Sequence, residues 1–166
     1  NEDEIPQMLS PCLEGYNVGV ISDAGCPGIA DPGANVVMEA HRKGIRVIPL
    51  VGPSSILMAM MASGFNGQNF AFLGYLPIDE KARIKKIKSI ESAIYSQNQT
   101  QIFIETPYRN NDLLTHLVQT LDTDIMLNLS IDLTTTSEQI ISQSIGDWRK
   151  KGLPDINKKL CIFLLN

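Results

Sequence analysis

Two histidines and three cysteines are all the imidazole and thiol groups that this 166-residue chain has for a zinc-type site. His41 and His116 fall on separate helical segments, and no Cys or His pair has ligand spacing, so no metal site is expected. Cys12, Cys26 and Cys161 are widely spaced and odd in number. That pattern argues against a disulfide framework and for reduced thiols in a cytoplasmic protein. No apolar run approaches the length of a membrane span. The nucleophile elbow G-x-S-x-G is missing, so Ser22, Asp23 and His41 do not read as a triad. The P-loop G-K-[ST] and the dinucleotide fingerprint G-x-G-x-x-G are missing too. Excess positive charge is also absent: the net charge is −4 and the pI about 5.1. That weighs against bulk nucleic-acid binding, which rests on Lys and Arg neutralising phosphates, but leaves room for a local basic patch.

What is present centres on Ser22–Gly33, S-D-A-G-C-P-G-I-A-D-P-G. Three glycines and two prolines in twelve residues force tight turns and bring backbone amides close to a neighbour. An apolar run, Val18–Ile21, precedes it and reads as the end of a buried strand, Tyr16–Ile21. A helix over Ala34–Lys43 follows, with Asp31 placed to cap it, Pro32 as its first residue and Gly44 to end it. Strand, glycine-rich loop and helix build a ligand site at the carboxyl end of a strand. The same residues are compatible with a structural turn. A second glycine-proline turn, Val51-Gly52-Pro53-Ser54-Ser55, follows the strand expected at Ile45–Leu50 and opens another helix, Pro53–Ser63.

The remaining pattern alternates strands and helices. Ile5–Leu13 has helical spacing. Pro53–Ser63 is apolar nearly all round and is expected to be buried. Gly64–Asn69 has linker chemistry, which sets a domain boundary between residues 67 and 68. Strands are expected at Phe70–Gly74, Gln101–Glu105, Asp124–Ile131, Glu138–Ile145 and Leu160–Leu165. Asp79 caps a long helix to about Ser96, with Ile84, Ile87, Ile90, Ala93 and Ile94 buried and Lys81, Arg83, Lys85, Lys86 and Lys88 on a basic outer face. That face reads either as a solvated surface or as a contact for substrate phosphates. Helices over Asn110–Leu121 and Asp147–Lys151 complete the count.

The two glycine-proline segments, with Gly74-Tyr75-Leu76-Pro77 and Glu105-Thr106-Pro107-Tyr108-Arg109 in the same order, resemble the tetrapyrrole methylase superfamily. Within it they are most similar to the small-subunit ribosomal RNA 2′-O-ribose methyltransferase branch. The likeness runs from Asn1-Glu2 to the last strand. It implies a two-domain α/β fold, residues 1–67 and 68–166, with a mostly parallel first sheet and a mixed second one. It implies S-adenosylmethionine as cofactor, ribosomal RNA as substrate and a homodimer. The positions matching the family's cofactor contacts are Asp23, Gly25, Cys26, Pro27, Ile29, Ser54, Ser55 and Leu129. Glu105 and Arg109 fall on the substrate side. The branch ordinarily carries an Arg and a Lys where this chain has Ile131 and Thr135, and a glycine-glutamate pair where it has Lys159-Leu160. The start, Asn1-Glu2-Asp3-Glu4, lacks Met, and the branch carries an earlier strand and glycine turn. The chain is therefore expected to be a fragment without that part, and inactive by itself.

This assignment agrees with the chemistry. Methyl transfer to a nucleophile needs donor and acceptor held in line with water excluded, so small residues and backbone can suffice. Ser54 and Ser55, at a helix start, offer hydroxyls and free amides. The residues identify no catalytic base. A non-catalytic ligand-binding or dimeric scaffold that keeps the fold is the competing class.

Overall fold

In the computed structural model, which describes residues 4–166, the chain forms two compact units, one up to Ser54 and one from Ser55 to Asn166. Residues 1–3, where the family likeness begins, lie outside the described residues. The units divide before Ser55 rather than at 67/68. The Ser55–Ser63 helix packs on the sheet that follows it, so it goes with that sheet.

In the first unit, one helix was expected over Ile5–Leu13, and two single turns are found, α1 (Ile5–Met8) and α2 (Ser10–Leu13). Pro11 has no N–H to offer the Gln7 carbonyl, and the Ser10 hydroxyl donates to that carbonyl at 2.7 Å. Helix α3 covers Ala34–Arg42. Its N-cap is Gly33, at φ +132°, with no side-chain cap. The expectation of an Asp31 cap and Pro32 as first residue is therefore corrected. A left-handed residue between Pro32 and Ala34 separates both from the helix. Its end is as expected: Gly44, at φ +67°, donates to the His41 carbonyl, and Ile45 donates to Ala40.

The strands expected at Tyr16–Ile21 and Ile45–Leu50 do not form. Both stretches lack ladder partners, and Ile21 is 90% and Leu50 87% exposed. β-branched, apolar composition is necessary for a buried strand, but only a paired neighbour satisfies its N–H and C=O groups. The mostly parallel first sheet is thus not seen among the described residues.

The second unit is built on a five-stranded mixed sheet in the order β1-β2-β5-β3-β4. The strands are β1 (Phe70–Tyr75), β2 (Thr100–Ile104), β3 (Met126–Ile131), β4 (Gln139–Ser144) and β5 (Cys161–Leu165). β1 and β2 are parallel, and every other pair is antiparallel. Side chains alternate between faces. Phe103, Phe163, Leu127, Leu129 and Ile131 face the helices α5 (Glu80–Gln97), α6 (Asn110–Thr120) and α7 (Ile145–Lys151). Ile102, Ile162 and Leu164 face α4 (Ser55–Ser63). Register places Phe103 directly opposite Phe163, stacked at 5.7 Å and 5°.

Helix α5 begins as expected, with Asp79 accepting from the Ala82 amide at 2.9 Å. Its faces need a correction. Arg83 is buried and donates to the carbonyls of Pro77 and Ile78, while Ile84 is 36% exposed. The outer basic face is therefore Lys81, Lys85, Lys86 and Lys88, with Lys88 donating to the Thr120 carbonyl. Helix α4 is likewise not buried all round. Ala59 and Met60 enter the core, but Leu57 is 51% and Met61 84% exposed.

The cysteines differ sharply in surroundings. Cys161 is buried, and burial followed by the Asp132 charge pushes its thiol well up. Cys12 and Cys26 are half-buried. Since the thiolate is the reactive form, iodoacetamide at pH 8 should alkylate Cys12 and Cys26 in the folded chain and spare Cys161, with all three reacting in denaturant. Peptide mass analysis checks this, and rapid native labelling of Cys161 would contradict its placement.

Candidate functional site

The glycine loop folds back on itself. Ser22 Oγ donates to the Ala24 carbonyl at 2.8 Å, Ile29 N donates to Cys26 O, and Gly28 N donates to Pro32 O. Gly25 and Gly28 sit at φ +78° and +77°, and Ala30 at +54°. A Cβ built on Gly33 would meet Gly28 N and Val20 Cγ1, each at 3.5 Å. One built on Gly25 would meet nothing within 4 Å. Gly33 thus closes the loop, while Gly25 presents bare backbone to open space. Around it Asp23, Pro27 and Ile29 are exposed.

One contact joins the two glycine-proline segments. Cys26 Sγ lies 3.3 Å from the Pro53 carbonyl and donates to it. Residues 27 positions apart are thereby brought together within the first unit. Ser54, half-buried, follows directly. Asp23, Gly25, Cys26, Pro27, Ile29 and Ser54 all belong to this unit. The arrangement offers amide groups, one carboxylate, a hydroxyl and the apolar Ile29. It can hold a polar, extended ligand by its backbone.

Ser55 and Leu129 belong to the second unit. Ser55 is exposed as the first residue of α4. Leu129 is 0% exposed in the core, flanked on its neighbouring strands by Phe163 and Ile141. Its side chain is enclosed there.

A different geometry surrounds Glu105 and Arg109. They lie at the sheet end where β2 finishes, Arg109 on a 3-10 turn over Pro107–Arg109. The Glu105 side chain is fully enclosed. Its Oε1 accepts from the Thr106 amide at 2.7 Å, from Arg109 Nε at 3.0 Å and from Arg109 Nη2 at 2.6 Å. Its Oε2 is buried without a partner. The hydrogen bonds it donates to Glu105 hold the guanidinium's proton affinity above its ordinary value. Arg109 is one-third exposed and borders an open cavity of about 510 Å³ with Tyr75, Leu76, Pro77, Ile78 and Thr106.

Sequence reasoning brought out Glu105 and Arg109 but gave no role to Tyr75 or Thr106. The signal was present: they lie in the Gly74–Pro77 and Glu105–Arg109 segments, where the parallel strands β1 and β2 end. Arg83 was missed as a buried brace because its cationic neighbours placed it on the outer face. Ile131 is fully buried, and the Thr135 hydroxyl donates to the Asp132 carbonyl. Among the described residues, no group of three or more His, Cys, Asp or Glu is clustered to hold a metal. No helix among them is long and apolar enough to cross a membrane.

No protein-family model matches the chain. It is 36% identical over 159 residues to the ribosomal RNA small subunit methyltransferase I of Haemophilus influenzae, covering 95% of the chain and 55% of that relative. With the Thermotoga maritima protein of the same name, identity is 32% over 155 residues, covering 91% of the chain and 67% of the relative. The chain spans about half the length of most such relatives. Among solved structures, the methyltransferase CobJ superposes with a TM-score of 0.64 at 19% identity, over 99% of this chain and 70% of that one. A uroporphyrin-III C-methyl transferase from Thermus thermophilus, complexed with S-adenyl homocysteine, gives 0.53 at 15% identity, over 99% and 72%. At these identities the likeness is one of fold.

Proposed function

This chain belongs to the ribosomal RNA small subunit methyltransferase I family, and from that premise we propose that it serves S-adenosylmethionine-dependent methylation of small-subunit ribosomal RNA, at a ribose oxygen. The observation that carries the cofactor reading is the Cys26–Pro53 hydrogen bond, which joins the two segments the family likeness rests on. We assign Asp23, Gly25, Cys26, Pro27, Ile29 and Ser54 to the cofactor.

Bound S-adenosylmethionine supplies an electrophilic methyl carbon on a sulfonium centre. The residues present fit such a ligand. Gly25 leaves room for an approach that any Cβ would obstruct, and its amide neighbours can meet polar groups of the ligand. Ser54 offers a hydroxyl to a carboxylate or ribose oxygen, and Ile29 an apolar contact. Their work is to bind and orient, which in a two-substrate reaction is a large part of the barrier.

The reading includes a homodimer in the cytoplasm. Exposed apolar side chains in the first unit, Ile21, Leu50 and Val51 among them, support association, because such surface is usually covered. Titration calorimetry with S-adenosylhomocysteine, followed by methyl transfer from labelled S-adenosylmethionine to unmodified small-subunit ribosomal RNA, tests the proposal. Saturable binding is expected from the chain itself, and label in RNA ribose from a protein of the relatives' full length that contains it. Binding without turnover on any RNA would favour the scaffold reading, and absence of binding would overturn the cofactor assignment. Light scattering behind a sizing column reports the oligomer.

A further inference from the structure

The cavity beside Arg109 has a composition that the cofactor reading does not use. Its walls, Leu76, Pro77 and Ile78, are mostly apolar, and Tyr75, 57% exposed, lines it too. Arg109 is the charged residue on its lining. Both hydrogen bonds from the guanidinium run to one Glu105 oxygen through Nε and Nη2. That occupies one side of the fork. Nη1 makes no hydrogen bond among the described residues, so the end of the fork is open to a second oxyanion.

Glu105 explains why the fork is fixed. It is buried, its Oε1 is triply engaged, and its Oε2 is left without a partner, which is a costly state for a carboxylate. A group retained under those conditions is a positioning group. Tyr75 and Arg109 line the same cavity, so the aromatic face and the open fork belong to one site. An exposed cation, Lys158, is tied by its backbone to the turn that carries Arg109. The Lys158 amide donates to the Pro107 carbonyl, and Lys158 makes no ion pair among the described residues.

We propose that this cavity is a nucleotide pocket for single-stranded RNA, in which a base lies against Tyr75 and the Pro77–Ile78 wall while its phosphate takes the open end of the Arg109 fork. Its volume suits a ligand of that size. Unpaired bases stacked on aromatic rings, with Arg on the phosphate, are a common way to hold single-stranded RNA. The inference rests on the ribosomal RNA reading, and it names the residues that would grip the substrate.

The test is fluorescence anisotropy of the chain with a labelled ten-nucleotide single-stranded RNA, with S-adenosylhomocysteine titrated separately. Tyr75→Ala and Arg109→Lys are each expected to weaken RNA binding about tenfold, the loss of one stacked base or one forked phosphate contact. Tyr75→Phe keeps the stacking face and should stay within about twofold of wild type. Melting curves identify any variant that fails to fold, and Tyr75→Phe against Tyr75→Leu then carries the comparison, since leucine keeps bulk without a stacking face. Equal RNA affinity across these variants overturns the pocket, as does wild-type protein that does not bind the RNA. Inorganic phosphate competing as well as the oligonucleotide would also overturn it, because the base would contribute nothing. RNA binding that the variants lose, in protein that ignores S-adenosylhomocysteine, would sink the cofactor reading and leave the pocket standing.

Discussion

Phe163→Ala is expected to cost the second unit about 3–5 kcal/mol of stability, the largest loss of any single substitution considered for this chain. Phe163 lies on β5, the central strand, with no exposed surface. It is paired in register with Phe103 on β2 and with Leu129 on β3. Truncation removes its transfer energy, leaves a cavity walled by a stacked ring and two strands, and discards an aromatic contact worth about 0.5–1.5 kcal/mol. The strands cannot close over the gap, because β5 is hydrogen-bonded on both sides. A domain of this size typically has about 5–15 kcal/mol in total, so the variant should sit near the edge of folding. Urea titration should show the midpoint falling with the slope unchanged. Leu57→Ala, on the exposed side of α4, is the control and should stay within about 0.5 kcal/mol of wild type. A Phe163→Ala midpoint close to that of Leu57→Ala would mean that the sheet is not packed as described.

The second unit was legible in the sequence because its signals are local and agree with one another. Asp79 caps α5, Leu113, Leu114, Leu117 and Val118 give α6 its inner stripe, and the last strand is apolar on both faces. Both faces are covered in fact, one by α5 to α7 and the other by α4. The two missing strands share a cause: each depended on a partner distant in sequence. Tyr16–Ile21 and Ile45–Leu50 have strand composition but no neighbouring strand. Arg83 was read by its charge, while its position was decided by the carbonyls of Pro77 and Ile78. At Leu129 the pleat turns the side chain into the core, which residue type alone does not tell. In the glycine loop the residue types were enough to foresee tight turns. They were not enough to show which glycine closes the loop and which one leaves open space.

That distinction leads to the second large effect, at Gly25. Gly25→Val should lower S-adenosylhomocysteine affinity at least tenfold, roughly 1.4 kcal/mol or more, while leaving the chain folded. The substituted Cβ meets nothing within 4 Å, so no clash with the protein explains a loss. Two effects remain. A β-branched residue at φ +78° is strained, and its branches fill the space into which the cofactor's backbone contacts would project. Strain alone can be measured elsewhere. Gly15 has φ +93° and equally open surroundings, but it lies at the end of α2, outside the loop. Gly15→Val should therefore carry a comparable penalty in stability, about 1 kcal/mol, with S-adenosylhomocysteine affinity unchanged. Gly25→Ala, smaller and unbranched, should fall between wild type and valine. Calorimetric titration of the three variants beside thermal melts separates the contributions. If Gly25→Val binds as wild type does, the loop is a structural turn and the cofactor is held by other residues. If Gly15→Val loses affinity equally, the loss at Gly25 reflects strain in the first unit and not obstruction of a ligand.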